Sequence, residues 1–507
     1  MAKHTLKAYI DALLSEDQIL EMTEGIENLQ VDYLTFDSRS VHPKTLFICK
    51  GETFKEEYLK KAADAGAVCY ISAQVYDVAL PCIIVKDIRR SQAVSANIWS
   101  DNAWKDINLL ALTGTKGKST TLYFIKNIVE KYCLKNGLGR FGYLSTIDTF
   151  DGVEEFESHL TTPEAVELAT RFMHARDSGL WAMGMEVSSQ ALKYDRTYGV
   201  RFKIGCFMNF GVDHIGSEEH PTVEDYFSSK LKFFSQTDNA IVNLDSQRIE
   251  EILSAAKCCG SLVTFSPSGE KEVYGLIPDY SAKNIRKIGN EICFDVIERN
   301  AQKLDVTTAV KLTMPGLFNV ENALAAFAVC RQMNIPAEDI AEGLYDAKAS
   351  GRMEVFVNKS RDLIVISDYA HNELSFENVF KSIKQEYPGY RIEALFGCPG
   401  GKGFIRREDL PRVTAKYADY VYITEEDPAE DDPMEIAAVI QKNLEKGGCP
   451  SEIIIDREQA IKTAIAKAPP KTVLALLAKG REEYMHRGHD YVKIKSDSEL
   501  AEELIME

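Results

Sequence analysis

Short apolar runs recur along the chain, separated by amphipathic stretches. Near the N-terminus, Thr45–Cys49 (TLFIC), Val68–Ser72 (VCYIS) and Pro81–Asp87 (PCIIVKD) read as buried strands, with a helix over Lys55–Ala65. The polar segment Trp99–Lys105 reads as a linker. Ile107–Thr113 (INLLALT) suits a central parallel strand, and Leu122, Ile125, Val129 and Tyr132 beyond it recur at helical spacing. Residues 257–314 are strand-rich. Further on, Leu363–Ser367, Ile392–Phe396, Tyr420–Thr424, Glu452–Asp456 and Thr472–Ala478 alternate with helical patterns such as Pro433–Leu444. The prediction is an α/β chain of three domains. These are a small α/β domain over 1–106, a central P-loop-type domain with a parallel sheet over 107–347, and a doubly wound, Rossmann-like domain over 348–507.

Charge narrows the possible partners. The chain has 59 Lys+Arg against 77 Asp+Glu, a net charge of −18, which argues against a general nucleic-acid binder. A local basic pocket for a phosphorylated metabolite remains compatible with it. No apolar run is long enough to cross a bilayer, and the N-terminal MAKHTLKAYIDALL has no cleavage site of the secretory kind. The 11 cysteines show no CxxC pair or Cys/His cluster, so neither a zinc site nor a disulfide framework is expected. The expectation is a reduced, cytoplasmic protein without membrane insertion.

The sharpest local signal is Thr113–Thr120 (TGTKGKST), lying between the predicted strand and helix. Amides of Gly114, Thr115, Lys116 and Gly117 would cradle phosphate oxygens, Lys118 would meet terminal phosphates, and Ser119 would offer Mg²⁺ a hydroxyl, with Thr120 beside it. Leu112 stands where a strict GxxxxGK[ST] loop has its first glycine. The other reading is an ordinary glycine-containing turn. Glu186 follows an apolar run, so its carboxylate could also ligate Mg²⁺, or simply end a strand in solvent.

The loop resembles that of the Mur ligases, which form amide bonds in peptidoglycan precursors. Further segments follow in that family's order: Thr161-Thr162-Pro163, Met185–Ser189 with Arg196, Asn209 to His214 (NFGVDH) and Tyr226–Lys230 (YFSSK). Gly316–Asn322 (GLFNVEN), Gly351–Glu354 (GRME), Asp368–His371 (DYAH) and Ala478–Tyr484 (AKGREEY) complete the series. Asp37-Ser38-Arg39 resembles the UDP-binding domain of one branch, the tripeptide synthetases. The resemblance implies an ADP-forming acid–amino-acid ligase that uses ATP and Mg²⁺ through an acyl phosphate. Its partners would be a UDP-N-acetylmuramoyl-dipeptide and a free amino acid, and it would act as a monomer. Lys118, Glu186, His214 and Lys230 would be catalytic, and Ser119, Glu186, His214 and a carbamylated Lys230 would hold metal. Asn319, Asn322, Arg352 and Asp368 would bind nucleotide; Ser38, Thr161, Thr162, Ser188 and Arg196 would bind the muramoyl-peptide. Without the resemblance, His214 reads as a structural histidine and Lys230 as a surface helix lysine. Arg457 could face the nucleotide or form a surface salt bridge.

For the amino acid, diaminopimelate-adding relatives carry Asp-Asn-Pro-Arg where this chain has Glu426-Asp427-Pro428-Ala429. The missing arginine removes a bidentate partner for a distal carboxylate. The acidic run Glu425–Asp427 and Glu430–Asp432, with Glu426 and Asp427 at its start, suits a cationic side chain, or is a solvated loop. Glu482 matches a glutamate that contacts the incoming amino acid in the family, and the resemblance implies L-lysine above all, with meso-diaminopimelate, ornithine or another diamino acid as alternatives. Other readings are a folylpolyglutamate-synthetase-like ligase, which the N-terminal unit disfavours, and a non-catalytic nucleotide-binding scaffold, which the retained Lys118, Glu186, His214 and Lys230 disfavour.

Overall fold

Three parallel-rich sheets order the chain in a computed structural model, which describes residues 4–51, 54–213, 215–216, 219–289, 291–299 and 305–506. The first has five strands, in the order Ile19–Met22, Cys82–Val85, Ala67–Ser72, Thr45–Ile48 and Tyr33–Thr35. Only the Ile19–Met22 edge is antiparallel.

The second sheet has eleven strands. At its heart Leu109–Thr113 lies between Ala182–Glu186 and Phe202–Phe207, both parallel to it. Every residue of Leu109–Thr113 is buried, as expected of a strand covered on both faces. The strand-rich segment forms the sheet's long antiparallel flank: Tyr280–Ile288, Glu291–Arg299 and Asp305–Leu312.

The third sheet runs Glu354–Asn358, Leu363–Asp368, Thr472–Leu477, Arg391–Phe396, Tyr420–Ile423 and Ser451–Ile453. It is parallel apart from the Glu354–Asn358 edge. The loops after its strands carry Tyr369–His371, Gly397–Gly403, Glu425–Asp427 and Lys479–Glu482, gathering polar groups where ligands bind in open α/β sheets.

Two expectations need correction. Trp99–Lys105 is not a loose linker. Trp99 ends the helix Ile88–Trp99, which Asp87 caps by accepting from the Arg89 and Arg90 N–H groups, and a 3₁₀ turn spans Ala103–Asp106. Trp99 is 2% exposed: its indole is core, and the polar letters around it disguised that. The strand expected over Glu452–Asp456 is confined to Ser451–Ile453, because Asp456 instead caps the helix Arg457–Lys467.

The cores do not stop at the sheets. One apolar cluster holds Leu122 and Ile128 from the second unit together with Ile366 and Phe376 from the third. Another joins Leu46 and Val94 of the first to Phe172 and Phe202 of the second. Among the described residues no helix is long and apolar enough to cross a membrane.

Candidate active site

The loop after Leu109–Thr113 turns at Gly117, whose φ of +84° is a left-handed conformation that starts the helix Lys118–Asn136. A Cβ there would lie 2.2 Å from Asn322 Oδ1, so only glycine lets the helix Asn319–Gln332 approach so closely. The loop opens into a cavity of about 270 Å³. Residues 115–120, Thr161, Glu186 and Asn322 line it from the second sheet's side, Arg352 and Asp368 from the third. Residues from Thr115 to Asp368 in sequence thus share one cleft.

Cations crowd this cleft. Lys118 Nζ and Lys230 Nζ each donate to the Gly114 carbonyl at 2.9 Å. Burial lowers the pKa of both; for Lys230, buried on the helix Val223–Ser235, Lys118 and Lys116 add to the effect and hold it well below the ordinary lysine range. Lys116 is pushed down to about 8 by burial, although its ion pair with Asp213 at 3.1 Å opposes this. Asp213 also accepts from Asn372 Nδ2 at 2.7 Å, tying the phosphate-type loop to the third unit.

The anionic side is pre-arranged. Glu186 ends its strand with Oε1 accepting from Thr146 N–H at 2.8 Å and Oε2 from the Thr146 hydroxyl at 3.1 Å. Asp368 accepts from the Met353 and Ala370 N–H groups, both at 2.7 Å, while its burial raises its pKa. Arg352 lies 4.6 Å from the Tyr369 ring centroid and donates to Ser119 Oγ at 3.5 Å. His214 lies outside the described residues.

Asn319 stands behind Asn322 rather than in the cavity lining. It donates to the Pro315 carbonyl and accepts from Asn322 Nδ2, so its carboxamide is spent inside the helix start. Thr162, Ser188 and Arg196 form a neighbouring cluster. The Thr162 hydroxyl donates to the Glu186 carbonyl at 3.0 Å and accepts from Ser188 N–H, and Arg196 donates to the Thr162 carbonyl. Arg196 and Lys50 both pair with Glu164, joining the first sheet to the second. Ser38 follows the strand Tyr33–Thr35 and lies outside the cavity lining, beside an Asp37–Arg39 pair.

The acidic run departs furthest from its sequence reading. It is not an open negative pocket, because the fold supplies it with cations. Lys479 pairs with Asp427 at 3.0 Å and with Glu482 at 2.6 Å. Glu425 pairs with Arg487, Asp431 with Arg407, and Asp432 caps the helix Pro433–Lys446. Glu426 differs from these. Burial pushes its carboxyl up to about 8 against the pull of Arg406, and its Oε2 has no hydrogen-bond partner among the described residues. Arg457 neither faces the cavity nor makes a surface bridge. It is 3% exposed, paired with Asp497 and donating to the Glu425 and Leu477 carbonyls.

Sequence reasoning missed Thr146, Glu321, Tyr369, His371 and Asn378 as lining residues. Tyr369 and His371 were within reach, since they belong to the DYAH segment; Thr146 gave no signal beyond following the apolar stretch Phe141–Leu144.

Comparison with known proteins bears on this geometry. A family model described as the Mur ligase middle domain matches residues 112–330, and one described as the Mur ligase glutamate ligase domain matches 351–480. The chain is 32% identical to a UDP-N-acetylmuramyl-tripeptide synthetase of Lactobacillus delbrueckii subsp. bulgaricus, over 98% of each chain. It is 34% identical to a UDP-N-acetylmuramoyl-L-alanyl-D-glutamate--L-lysine ligase of Streptococcus suis, over 94% of each. Among solved structures, a UDP-N-acetylmuramoyl-L-alanyl-D-glutamate--2,6-diaminopimelate ligase shares the fold with a TM-score of 0.63 and 22% identity, covering 96% of this chain and 97% of its own.

Proposed function

The chain belongs to the Mur ligase family, and from that premise we propose that it adds L-lysine to UDP-N-acetylmuramoyl-L-alanyl-D-glutamate with ATP, forming ADP, in peptidoglycan precursor synthesis. The observation that carries this reading is the single cleft in which Lys118, Glu186, Arg352 and Asp368 meet from two sheets. Joining a carboxylate to an amine requires activating the carboxylate, and phosphoryl transfer from ATP makes phosphate the leaving group. Lys116, Lys118 and Arg352 neutralise charge along the phosphates. Asp368, held by two backbone N–H groups, is pre-organised to accept from the ribose hydroxyls. Thr162, Ser188 and Arg196 receive the muramoyl-peptide beside Glu186, in the angle between the first two sheets, with Thr161 and Ser38 as the flanking contacts.

The donor set fits a hard divalent cation in part. The Ser119 hydroxyl and the Glu186 carboxylate are oxygen donors of the kind Mg²⁺ takes. An unmodified Lys230 ammonium does not fit; a carbamate would. Burial favours the neutral amine, the form that combines with CO₂. Mg²⁺ would supply charge neutralisation for phosphoryl transfer.

L-Lysine is favoured over meso-diaminopimelate by Ala429, which provides no partner for a second carboxylate, and by the buried Glu426 oxygen, for which an incoming ammonium is a natural partner. Of the cations nearby, Arg407 is committed to Asp431 and Arg481 to Glu354, while Arg406 lies 3.8 Å from Asp213. The test is ADP release with UDP-muramoyl-alanyl-glutamate and each amino acid in turn. L-Lysine should lead by roughly a hundredfold or more in kcat/KM, the scale set by one unpaired desolvated charge. Equal use of diaminopimelate would overturn the lysine assignment, and no ADP with any amino acid would overturn the ligase assignment.

A further inference from the structure

Glu321 is a carboxyl in the nucleotide cleft to which neither the loop motif nor the proposed chemistry gives a role. It sits in the first turn of the helix Asn319–Gln332 and lines the cavity. Two carboxamides, Asn209 Nδ2 at 2.8 Å and Asn243 Nδ2 at 3.1 Å, donate to its Oε1. Asn209 in turn holds the phosphate-type loop on three sides. Its Oδ1 accepts from Lys116 N–H at 2.9 Å, its Nδ2 donates to the Lys116 carbonyl at 3.3 Å, and its own carbonyl accepts from Thr115 N–H at 3.0 Å. The chain of contacts runs Glu321, Asn209, residues 115–116, and from there to the amides that would meet phosphate.

We propose that Glu321 is a positioning residue of the nucleotide site, fixing the Asn209 carboxamide and through it the phosphate-binding loop, and that it does so as a neutral carboxyl. This rests on the nucleotide reading of the cleft. Both donors use one oxygen, an arrangement that a neutral carboxyl satisfies as well as an ionised one. A carbonyl oxygen has two lone pairs and accepts both bonds, which leaves Oε2 to carry the proton. An ionised Glu321 would keep the two bonds but add a negative charge to a cleft meant for a polyphosphate. Burial supports the neutral form, pushing this carboxyl up to about 7, with Asp245 adding to the rise and the two asparagine bonds opposing it. The other groups around it are the Cys206 thiol, itself raised by burial and by Glu321, and Lys116, whose ammonium pairs with Asp213.

The experiment compares ATP binding by the full chain and its Glu321→Gln and Glu321→Ala variants between pH 6 and 8.5, by calorimetry, with thermal melting alongside. Gln keeps the acceptor oxygen and cannot ionise; Ala removes the acceptor. The titration of ATP itself is common to all three proteins and cancels in the ratios. Wild type should lose affinity relative to Glu321→Gln by severalfold as pH rises through 7, the two coinciding near pH 6. Glu321→Ala should bind about tenfold more weakly at every pH, the scale of a lost buried hydrogen bond. A constant ratio between wild type and Glu321→Gln would overturn the neutral-carboxyl assignment. Unchanged ATP affinity in Glu321→Ala, with only the melting temperature lowered, would show a purely structural residue. Failure of the wild-type protein to bind ATP would instead reject the nucleotide reading itself.

Discussion

Folding has treated two charged regions of the molecule differently. On the phosphate-loop side, Lys118 and Lys230 converge on the Gly114 carbonyl, and burial weakens the charge on both. On the third sheet's side, Asp427, Glu482, Glu425 and Asp431 are matched to Lys479, Arg487 and Arg407. The first arrangement costs the folded protein stability and is relieved by an anion; the second is complete in the protein alone. Charges assembled at the expense of stability mark where a ligand is received, whereas mutually satisfied charges hold the protein's own loops together.

This contrast can be broken at several points. Lys118→Ala should lower ADP formation by roughly a thousandfold, the order lost when a transition-state charge partner is removed, while thermal stability holds or rises. A steady-state assay with a melting curve checks both halves, and a variant that melts much earlier would place Lys118 among the charges that hold loops together. Lys479→Met should do the opposite. Removing the one buried cation from two carboxylates, which are 25% and 37% exposed, should destabilise the protein by about 1–2 kcal/mol. Denaturant titration reads this, and unchanged stability would show that Asp427 and Glu482 are solvated. Arg407→Ala, which leaves Asp431 partly in solvent, should cost less than about 1 kcal/mol and little activity.

A pH titration sharpens the comparison further. Glu426 is raised to about 8 and Glu321 to about 7, above their unfolded value of 4.5, so the native state binds more protons than the unfolded chain between those limits. These two groups should therefore reduce stability as pH rises from about 4.5 to 8. Glu426→Gln should flatten that decline in denaturant melts, and an unaltered slope would show that Glu426 ionises freely.

The sheets were legible because a strand buried on both faces must be apolar nearly throughout, as Leu109–Thr113 and Thr472–Leu477 are apart from one terminal threonine each. The phosphate-type loop was legible because its glycines and lysines are adjacent in sequence. The acidic run was misread for the opposite reason. Lys479 lies 52 positions from Asp427, and nothing local announces their pairing. Trp99 was misplaced because one buried indole among polar neighbours carries no periodicity. Glu321 was overlooked because its partners, Asn209 and Asn243, come from the ends of two different strands.

The rigid junction over Ile88–Asp106 also has a spectroscopic consequence. All three tryptophans of the chain, Trp99, Trp104 and Trp181, lie there or on the adjoining second sheet, and none lies beyond residue 181. Trp99 and Trp104 pack in the apolar cluster shared by the first two units, whereas Trp181 packs against the cluster shared by the second and third. Emission from Trp99 and Trp104 therefore reports on the seam between the first and second units. Emission from Trp181, whose ring centroid lies 5.8 Å from that of Tyr132, reports on the opposite layer of the second sheet, so single-tryptophan variants would resolve which seam a ligand disturbs.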